Sequence, residues 1–431
     1  MTYKDTLNYL FTRLPMFQRS GPAAYKDTLG NTLKLDELYG HPHRRYKTIH
    51  VAGTNGKGSV SHMLAAVLQS AGYKTGLYTS PHLKDFRERI KVDGKMISEK
   101  YVAEWVTNYQ TNNRLWKIEP SFFELTVALA FDYFAAEKVE VAVVEVGLGG
   151  RLDSTNIITP ELSVITNIGI DHTNLLGNTL VQIAGEKAGI IKANVPVVIG
   201  ESHVETAPVF LEKASENNAP LFFADKEYRV DYATLSTKQT QILRLEKNGK
   251  VLPDGIELDL LGAYQHKNLP TVLKALDLLR EKGFRIADDD QRKGLANVIA
   301  LTGLQGRWQI IGNNPLIVCD TGHNEDGIRV LTAQLRHTAF KELHLVFGTV
   351  GDKNPDRVLA LLPKNAHYYF VRAGIERAMD EQALKRRAAA FGLKGECYTS
   401  VSEGFKAAKK AADKRDMVFV GGSTFVVAEI L

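Results

Sequence analysis

The stretch His50-Val51-Ala52-Gly53-Thr54-Asn55-Gly56-Lys57-Gly58-Ser59 constrains this chain more than any other. It follows a short apolar strand (48–51) and opens a helix expected over roughly 60–71. Strand, glycine-rich loop and helix, in that order, is the context a phosphate-binding loop requires. Glycines let the backbone turn tightly and bring its N–H groups close to an anion. The helix N-terminus adds a partial positive charge. Lys57 supplies a full charge for the outer phosphates, and Thr54, Asn55 and Ser59 are further donors. The spacing departs from G-x-x-x-x-G-K-[ST]: the first glycine is closer and Gly58 follows the lysine. The bland alternative is an ordinary glycine-rich turn. The coincidence of lysine, flanking glycines and strand–helix context weighs against it.

Further along, polar groups follow apolar strand-like runs, which is where an open α/β sheet builds its ligand crevice. Thr79-Ser80-Pro81-His82 follows the strand expected at 75–78. Ser80 is either a hydroxyl for a metal or part of a Ser-Pro turn. Phe86-Arg87-Glu88-Arg89-Ile90 then enters a hairpin turning at Asp93-Gly94. Val141-Ala142-Val143-Val144-Glu145 reads as a central strand covered on both faces. Its late carboxylate, Glu145, is costly to bury unless paired or on a metal. An acid in that place is what such enzymes use for Mg²⁺; the alternative is a partly exposed acid. Asp171 and His172 follow the next strand (162–165), and a lone histidine is more often structural than a ligand. Lys187 lies among small and apolar residues in a short helix. Such surroundings lower a lysine's pKa, leaving an amine that pairs with an acid or takes up CO₂ as a carbamate. Glu124 reads as a helix cap, from the capping box Ser121-Phe122-Phe123-Glu124.

The rest of the chain continues the α/β alternation. Residues 20–32 read as a loop and 33–38 as a short helix. Residues 226–260 look like antiparallel strands with a turn at Asn248-Gly249, followed by helices to about 282 and over 288–299. Glycine punctuation at 301–306 marks a linker between domains at 1–300 and 307–431. After it, strands at 316–319, 343–347, 367–371 and 417–420 alternate with helices, as in a smaller Rossmann-like domain. The fold class expected is α/β: a P-loop-containing parallel-sheet ATPase domain, then that smaller domain. A chain of 431 residues suits two or three cores. Two cysteines are too few for a disulfide framework. The N-terminus is not a secretory signal, and no apolar run is long enough to span a membrane. A cytoplasmic protein without a membrane partner is expected. The net charge of +5 fits an anionic substrate and makes no case for nucleic acid.

Taken together, Gly53-Thr54-Asn55-Gly56-Lys57-Gly58-Ser59, Tyr78-Thr79-Ser80-Pro81-His82, Phe86-Arg87-Glu88-Arg89-Ile90, Glu145-Val146-Gly147-Leu148-Gly149-Gly150, Asp153-Ser154-Thr155-Asn156, Asp171-His172, the 186–192 helix and Asp320-Thr321-Gly322-His323-Asn324 resemble bacterial folylpolyglutamate synthase/dihydrofolate synthase, of the Mur ligase superfamily. The resemblance implies ATP-dependent joining of L-glutamate to a dihydropteroate or reduced folate carboxylate through an acyl phosphate. It implies that the residues from Gly53 to Ser59 hold the ATP phosphates, with Lys57 catalytic. Ser80 and Glu145 would hold one Mg²⁺; His172, Glu145 and carbamylated Lys187 a second. Asn268, Arg307, Asp320 and His323 would contact ATP, and Ser423 would lie near the glutamate. A monomer acting on small molecules is expected. Two features depart from the family pattern: Gly322 and Glu325 stand where Ala and Pro are commoner, and Gly306-Arg307-Trp308 replaces Gly-Arg-Phe or Ala-Arg-Leu. A muramyl-peptide-type ligase would carry an extra N-terminal domain, for which the 47 residues before the first strand are too few. A nucleotide switch would not need Glu145, His172 and Lys187 together.

Overall fold

The computed structural model describes residues 1–16, 28–236, 239–351 and 354–431, with the side chains of 231 and 232 left aside. Most of the loop expected at 20–32 lies outside them; the helix that follows begins at Gly30 and runs to Leu38. The chain divides into two compact units. The first comprises Met1–Asp259 and Gln265–Leu304, the second Leu260–Tyr264 and Gln305–Leu431.

The first unit is built on a sheet of β1 (Lys47–Ala52), β2 (Thr75–Tyr78), β3 (Ile90–Val92), β4 (Lys95–Met96), β5 (Val141–Glu145), β6 (Leu162–Ile165), β7 (Val197–Ile199) and β8 (Leu221–Phe223). Among the described residues their order is β4-β3-β2-β5-β1-β6-β7-β8. All neighbours are parallel except the β2–β3 and β3–β4 pairs, the second of which is the hairpin turning at Asp93-Gly94. β5 is buried along its whole length, as a strand covered on both faces must be. Burying each of its valines is worth roughly 1.5 kcal/mol or more. On one side, helices Glu99–Trp116 and Phe122–Ala136 contribute to a core around Tyr78, Phe86, Tyr109, Phe131 and Phe134. The second of these starts with the expected capping box: the Glu124 amide donates to Ser121 Oγ, and the Ser121 amide to the Glu124 carboxylate.

Two details differ from the sequence expectation, each for a local reason. The helix after the glycine-rich loop begins at Lys57, three residues early, because Gly56 turns through φ +85° and leaves Lys57, Gly58 and Ser59 in the first helical turn. The helix expected over 288–299 is two, Asp288–Ala296 and Val298–Thr302. Asn297 interrupts it with φ −134°, its side-chain amide donating to the Lys293 carbonyl, a local alternative Asn offers the backbone. Residues 228–258 form a separate antiparallel sheet in which β10 (Gln241–Lys247) pairs with β9 (Tyr228–Leu235), β11 (Lys250–Val251) and β12 (Ile256–Leu258). Asn248 and Gly249 both take positive φ there, as a tight hairpin turn needs.

The second unit holds β13 (Gln309–Asn313), β14 (Leu316–Cys319), β15 (Leu343–Phe347), β16 (His367–Val371), β17 (Gly395–Tyr398) and β18 (Met417–Gly421). Their order is β13-β14-β18-β15-β16-β17, parallel apart from the β13–β14 edge pair. Met417, Phe419 and Leu345 pack with Leu331, Leu335 and Leu384 from the flanking helices.

Candidate functional site

The loop from Gly53 to Ser59 leaves the C-terminal end of β1, between β5 and β6. The chain turns to opposite sides of β1 there, which is the switch point where open α/β sheets bind ligands. A Cβ on Gly53 (φ +145°) would strike the Thr166 side chain, and one on Gly56 would strike the Asn268 side chain. Glycine is required at both for conformation and for close approach. The first bond of helix Lys57–Ser70 runs from the Val60 amide to the Gly56 carbonyl. The amides of Lys57, Gly58 and Ser59 therefore have no partner within the helix, and no side chain caps it. The Lys57 ammonium donates to the Thr54 carbonyl at 3.2 Å.

The loop's first two amides are used within the protein. Thr54 N–H donates to the Asn167 carbonyl and Asn55 N–H to Asn167 Oδ1, at 3.0 and 2.9 Å. The Thr54 hydroxyl exchanges hydrogen bonds with the Gly169 backbone. Thr166 donates to the Asn55 carbonyl. Ser59 Oγ accepts from the Gln265 side chain, whose carbonyl accepts from Asn268. Of the donors expected from the sequence, Thr54 thus secures the loop, while the amides left without a helix partner are those of the first turn.

Glu145 ends β5 directly beside Val51 of β1. It is 4% exposed and accepts from the Ser80 amide at 3.1 Å, so the loop after β2 is tied to this carboxylate. Lys187 is equally buried, 4% exposed, and donates to the Gly53 carbonyl at 2.9 Å. Burial first, and then the positive charge of Lys57, lower its pKa to about 7. His172 follows β6 in a left-handed turn (φ 51°), and its Nε2 lies 3.9 Å from Asp171 Oδ2. The structure thus joins Ser80 to Glu145 and Lys187 to the loop; His172 is held beside Asp171. Among the described residues no three His, Cys, Asp or Glu side chains are grouped to hold a metal. A buried carboxylate with a neighbouring hydroxyl residue is still an all-oxygen set suited to Mg²⁺, which commonly takes one or two carboxylates and completes its shell with water and phosphate oxygens.

Below this rim lies a buried chain that single-residue reading did not find. His50 Nε2 sits 2.8 Å from Thr155 Oγ1, which donates to Asp153 Oδ1; Asp153 Oδ2 accepts from the Leu148 amide. Burial lowers the His50 pKa to about 3. The sequence signals were a histidine inside the strand and the separate Asp153-Ser154-Thr155-Asn156 motif, with nothing local to pair them.

In the second unit, Asp320 follows β14. Oδ2 accepts from the Tyr264 hydroxyl at 2.6 Å and the Trp308 amide at 2.7 Å; Oδ1 accepts from the Gly322 amide at 2.8 Å. Burial pushes its pKa up, against those hydrogen bonds. Arg307 donates to Thr321 Oγ1 and to the Gly306 carbonyl, and His323 Nδ1 lies 3.1 Å from the Thr321 carbonyl. Asn324 caps helix Glu325–His337 by accepting from the Gly327 amide. Ser423 likewise accepts from the Phe425 amide.

Comparison with known proteins matches residues 51–276 to the Mur ligase middle domain and 306–424 to the Mur ligase glutamate ligase domain. The chain is 33% identical to the dihydrofolate synthase/folylpolyglutamate synthase of Bacillus subtilis over 85% of its own length and 84% of that protein. It is 33% identical along its full length to a probable bifunctional folylpolyglutamate synthase/dihydropteroate synthase of Haloferax volcanii, but spans only half of that protein. The structure superimposes on Escherichia coli FolC in complex with DHPP and ADP with a TM-score of 0.86, at 27% identity, covering 100% of this chain and 97% of that one. Mycobacterium tuberculosis folylpolyglutamate synthase complexed with ADP and AMPPCP gives 0.86 at 32% identity, covering 99% and 97%. The chain belongs to the Mur ligase family, in its folylpolyglutamate synthase/dihydrofolate synthase branch.

Proposed function

We propose that the protein is an ATP-dependent, ADP-forming ligase that joins L-glutamate to the carboxylate of dihydropteroate or a reduced folate through an acyl phosphate. The observation that carries this reading is the uncapped first turn of helix Lys57–Ser70, with Lys57, beside the buried carboxylate of Glu145 on the neighbouring strand. Residues 1–300 are the nucleotide-binding domain and 307–431 the second ligase domain in this reading.

The chemistry follows from charge. Moving a γ-phosphoryl group onto a carboxylate brings anions together, and the Lys57 ammonium with the amides of Lys57, Gly58 and Ser59 offsets their repulsion. Ser80 and Glu145 would hold Mg²⁺, which supplies charge neutralisation and orientation of the phosphates. Lys187, with a pKa of about 7, has a neutral amine available to take up CO₂, losing a proton to give a carbamate. Beside the Lys57 cation, that carbamate would join His172 and Glu145 as an oxygen donor for a second Mg²⁺. Asn268, packed against Gly56, would contact the nucleotide. A cytoplasmic monomer is the expected working form, and among the described residues no helix is long and apolar enough to cross a membrane.

The test is ADP release from Mg²⁺-ATP and glutamate, run separately with dihydropteroate and with a reduced monoglutamyl folate, the products being weighed by mass spectrometry. A gain of one glutamyl unit on both acceptors establishes both activities, and on one acceptor selects between them. No glutamate-dependent release with either discards the folate assignment.

A further inference from the structure

The loop that receives phosphate is held by a residue that never needs to touch it. Asn167 follows β6 and Glu201 follows β7; β1, β6 and β7 are successive neighbours in the sheet. Asn167 uses both ends of its amide. Oδ1 accepts from the Asn55 N–H at 2.9 Å, and Nδ2 donates to Glu201 Oε1 at 3.0 Å. The other oxygen of Glu201 accepts from Lys267 at 2.6 Å. Lys267 stands in the helix Gln265–Glu281, next to Asn268, which packs on Gly56. A line of hydrogen bonds therefore runs from Asn55 through Asn167 and Glu201 to Lys267, whose neighbour Asn268 packs on the same loop.

The direction of each bond matters. A side-chain amide is one of few groups that can accept from a backbone N–H and donate to a carboxylate at once. Glu201 fixes which way the Asn167 amide faces, because only its NH₂ end is acceptable to a carboxylate. Lys267 offsets the charge of Glu201, which would otherwise raise the local negative potential near incoming phosphate. The Thr54 and Asn55 amides are engaged by Asn167, while the amides of the helix's first turn have no partner within the helix.

We propose that Asn167 is a positioning residue for nucleotide phosphate, oriented by Glu201 and coupled through Lys267 to the helix that carries Asn268. This rests on the reading of the loop as the ATP site. It requires that damage to the relay weaken ligands with phosphates and spare the nucleoside.

The experiment measures ADP and adenosine binding by calorimetry, with adenosine read by displacement, alongside Tm. Asn167→Asp keeps the acceptor for Asn55 but sets a carboxylate against Glu201. It should weaken ADP about tenfold, the loss expected for one misdirected hydrogen bond to a fixed donor, and leave adenosine unchanged. Asn167→Asp with Glu201→Gln restores donor and acceptor with the amide on the other side, and should recover ADP affinity to within about threefold of the wild type. Should Asn167→Asp fail to fold, Glu201→Ala, at a partly exposed site, should still weaken ADP about threefold with adenosine unaffected. Equal binding of ADP by wild type and variants overturns the proposal, as does equal weakening of ADP and adenosine, or a double variant no better than Asn167→Asp. A wild-type protein that binds no ADP overturns instead the assignment of the loop itself.

Discussion

Two strand–loop–helix junctions in this protein are finished in opposite ways. In the first unit β1 runs through Gly53–Gly56 into helix Lys57–Ser70; in the second, β14 runs through Asp320–Asn324 into helix Glu325–His337. The first helix starts with a glycine and no side-chain cap, so its leading amides stay available to a ligand. The second starts with Asn324, which takes up the Gly327 amide, and the loop before it closes on Asp320, whose oxygens accept three hydrogen bonds. A strand–loop–helix junction becomes an anion site by leaving its helix start unsatisfied; satisfied from within, the same junction becomes a rigid corner.

The sharpest way to break this contrast is Asp320→Ala. It leaves the Tyr264 hydroxyl and the Trp308 and Gly322 amides without their acceptor, and should cost about 3 kcal/mol or more of stability by urea unfolding. A loss below about 1 kcal/mol would mean the corner is not held by this carboxylate. Lys57→Ala should do the reverse: ADP-forming turnover falls about a hundredfold or more, with Tm almost unchanged. Near-normal turnover would remove Lys57 from phosphate transfer.

Acid should act through His50. Its pKa in the folded protein is about 3, against 6.5 for an ordinary histidine, so below about pH 6.5 the unfolded chain binds a proton that the folded chain refuses. Stability is fully present above that pH. It should fall by up to about 1.4 kcal/mol per pH unit from this one group as pH drops toward 3. Unfolding curves for wild type and His50→Asn at pH 7, 6 and 5 check it: the variant should show a shallower decline. The mildest effect is expected for Asn324→Ala, about 1 kcal/mol, as for the loss of other side-chain caps. If that substitution also improved anion binding at the exposed helix start, the second junction would be a latent copy of the first.

Much of this was legible in the sequence where it is local. The Gly53–Ser59 loop, the buried run ending in Glu145, the Ser121–Glu124 cap and the Asp93-Gly94 turn are each written within about ten residues, because backbone conformation and strand burial are short-range properties. Pairings across long separations were not legible. Asn167 carried no reading in the sequence, and nothing near it announces Glu201. Asp320 reads as an ATP contact from the resemblance, and its hydrogen bond from Tyr264, 56 positions away, was not legible. The five-residue excursion Leu260–Tyr264, which belongs with the second unit, has no compositional mark in a chain read linearly. The early start of helix Lys57–Ser70 was missed because glycine inside a first turn reads as loop; only the φ of Gly56 shows where the helix begins.

One separation has a consequence for how the protein is made. The side chain that meets Ser59 comes from Gln265, 206 positions later, and the side chain that packs on Gly56 is Asn268. A ribosome releases the phosphate loop, and all eight strands of its sheet, well before it releases the helix that completes the loop's surroundings. The surroundings of the loop are therefore incomplete on the growing chain until that helix is made, and chains halted before residue 265 are expected to bind ADP more weakly than the full protein.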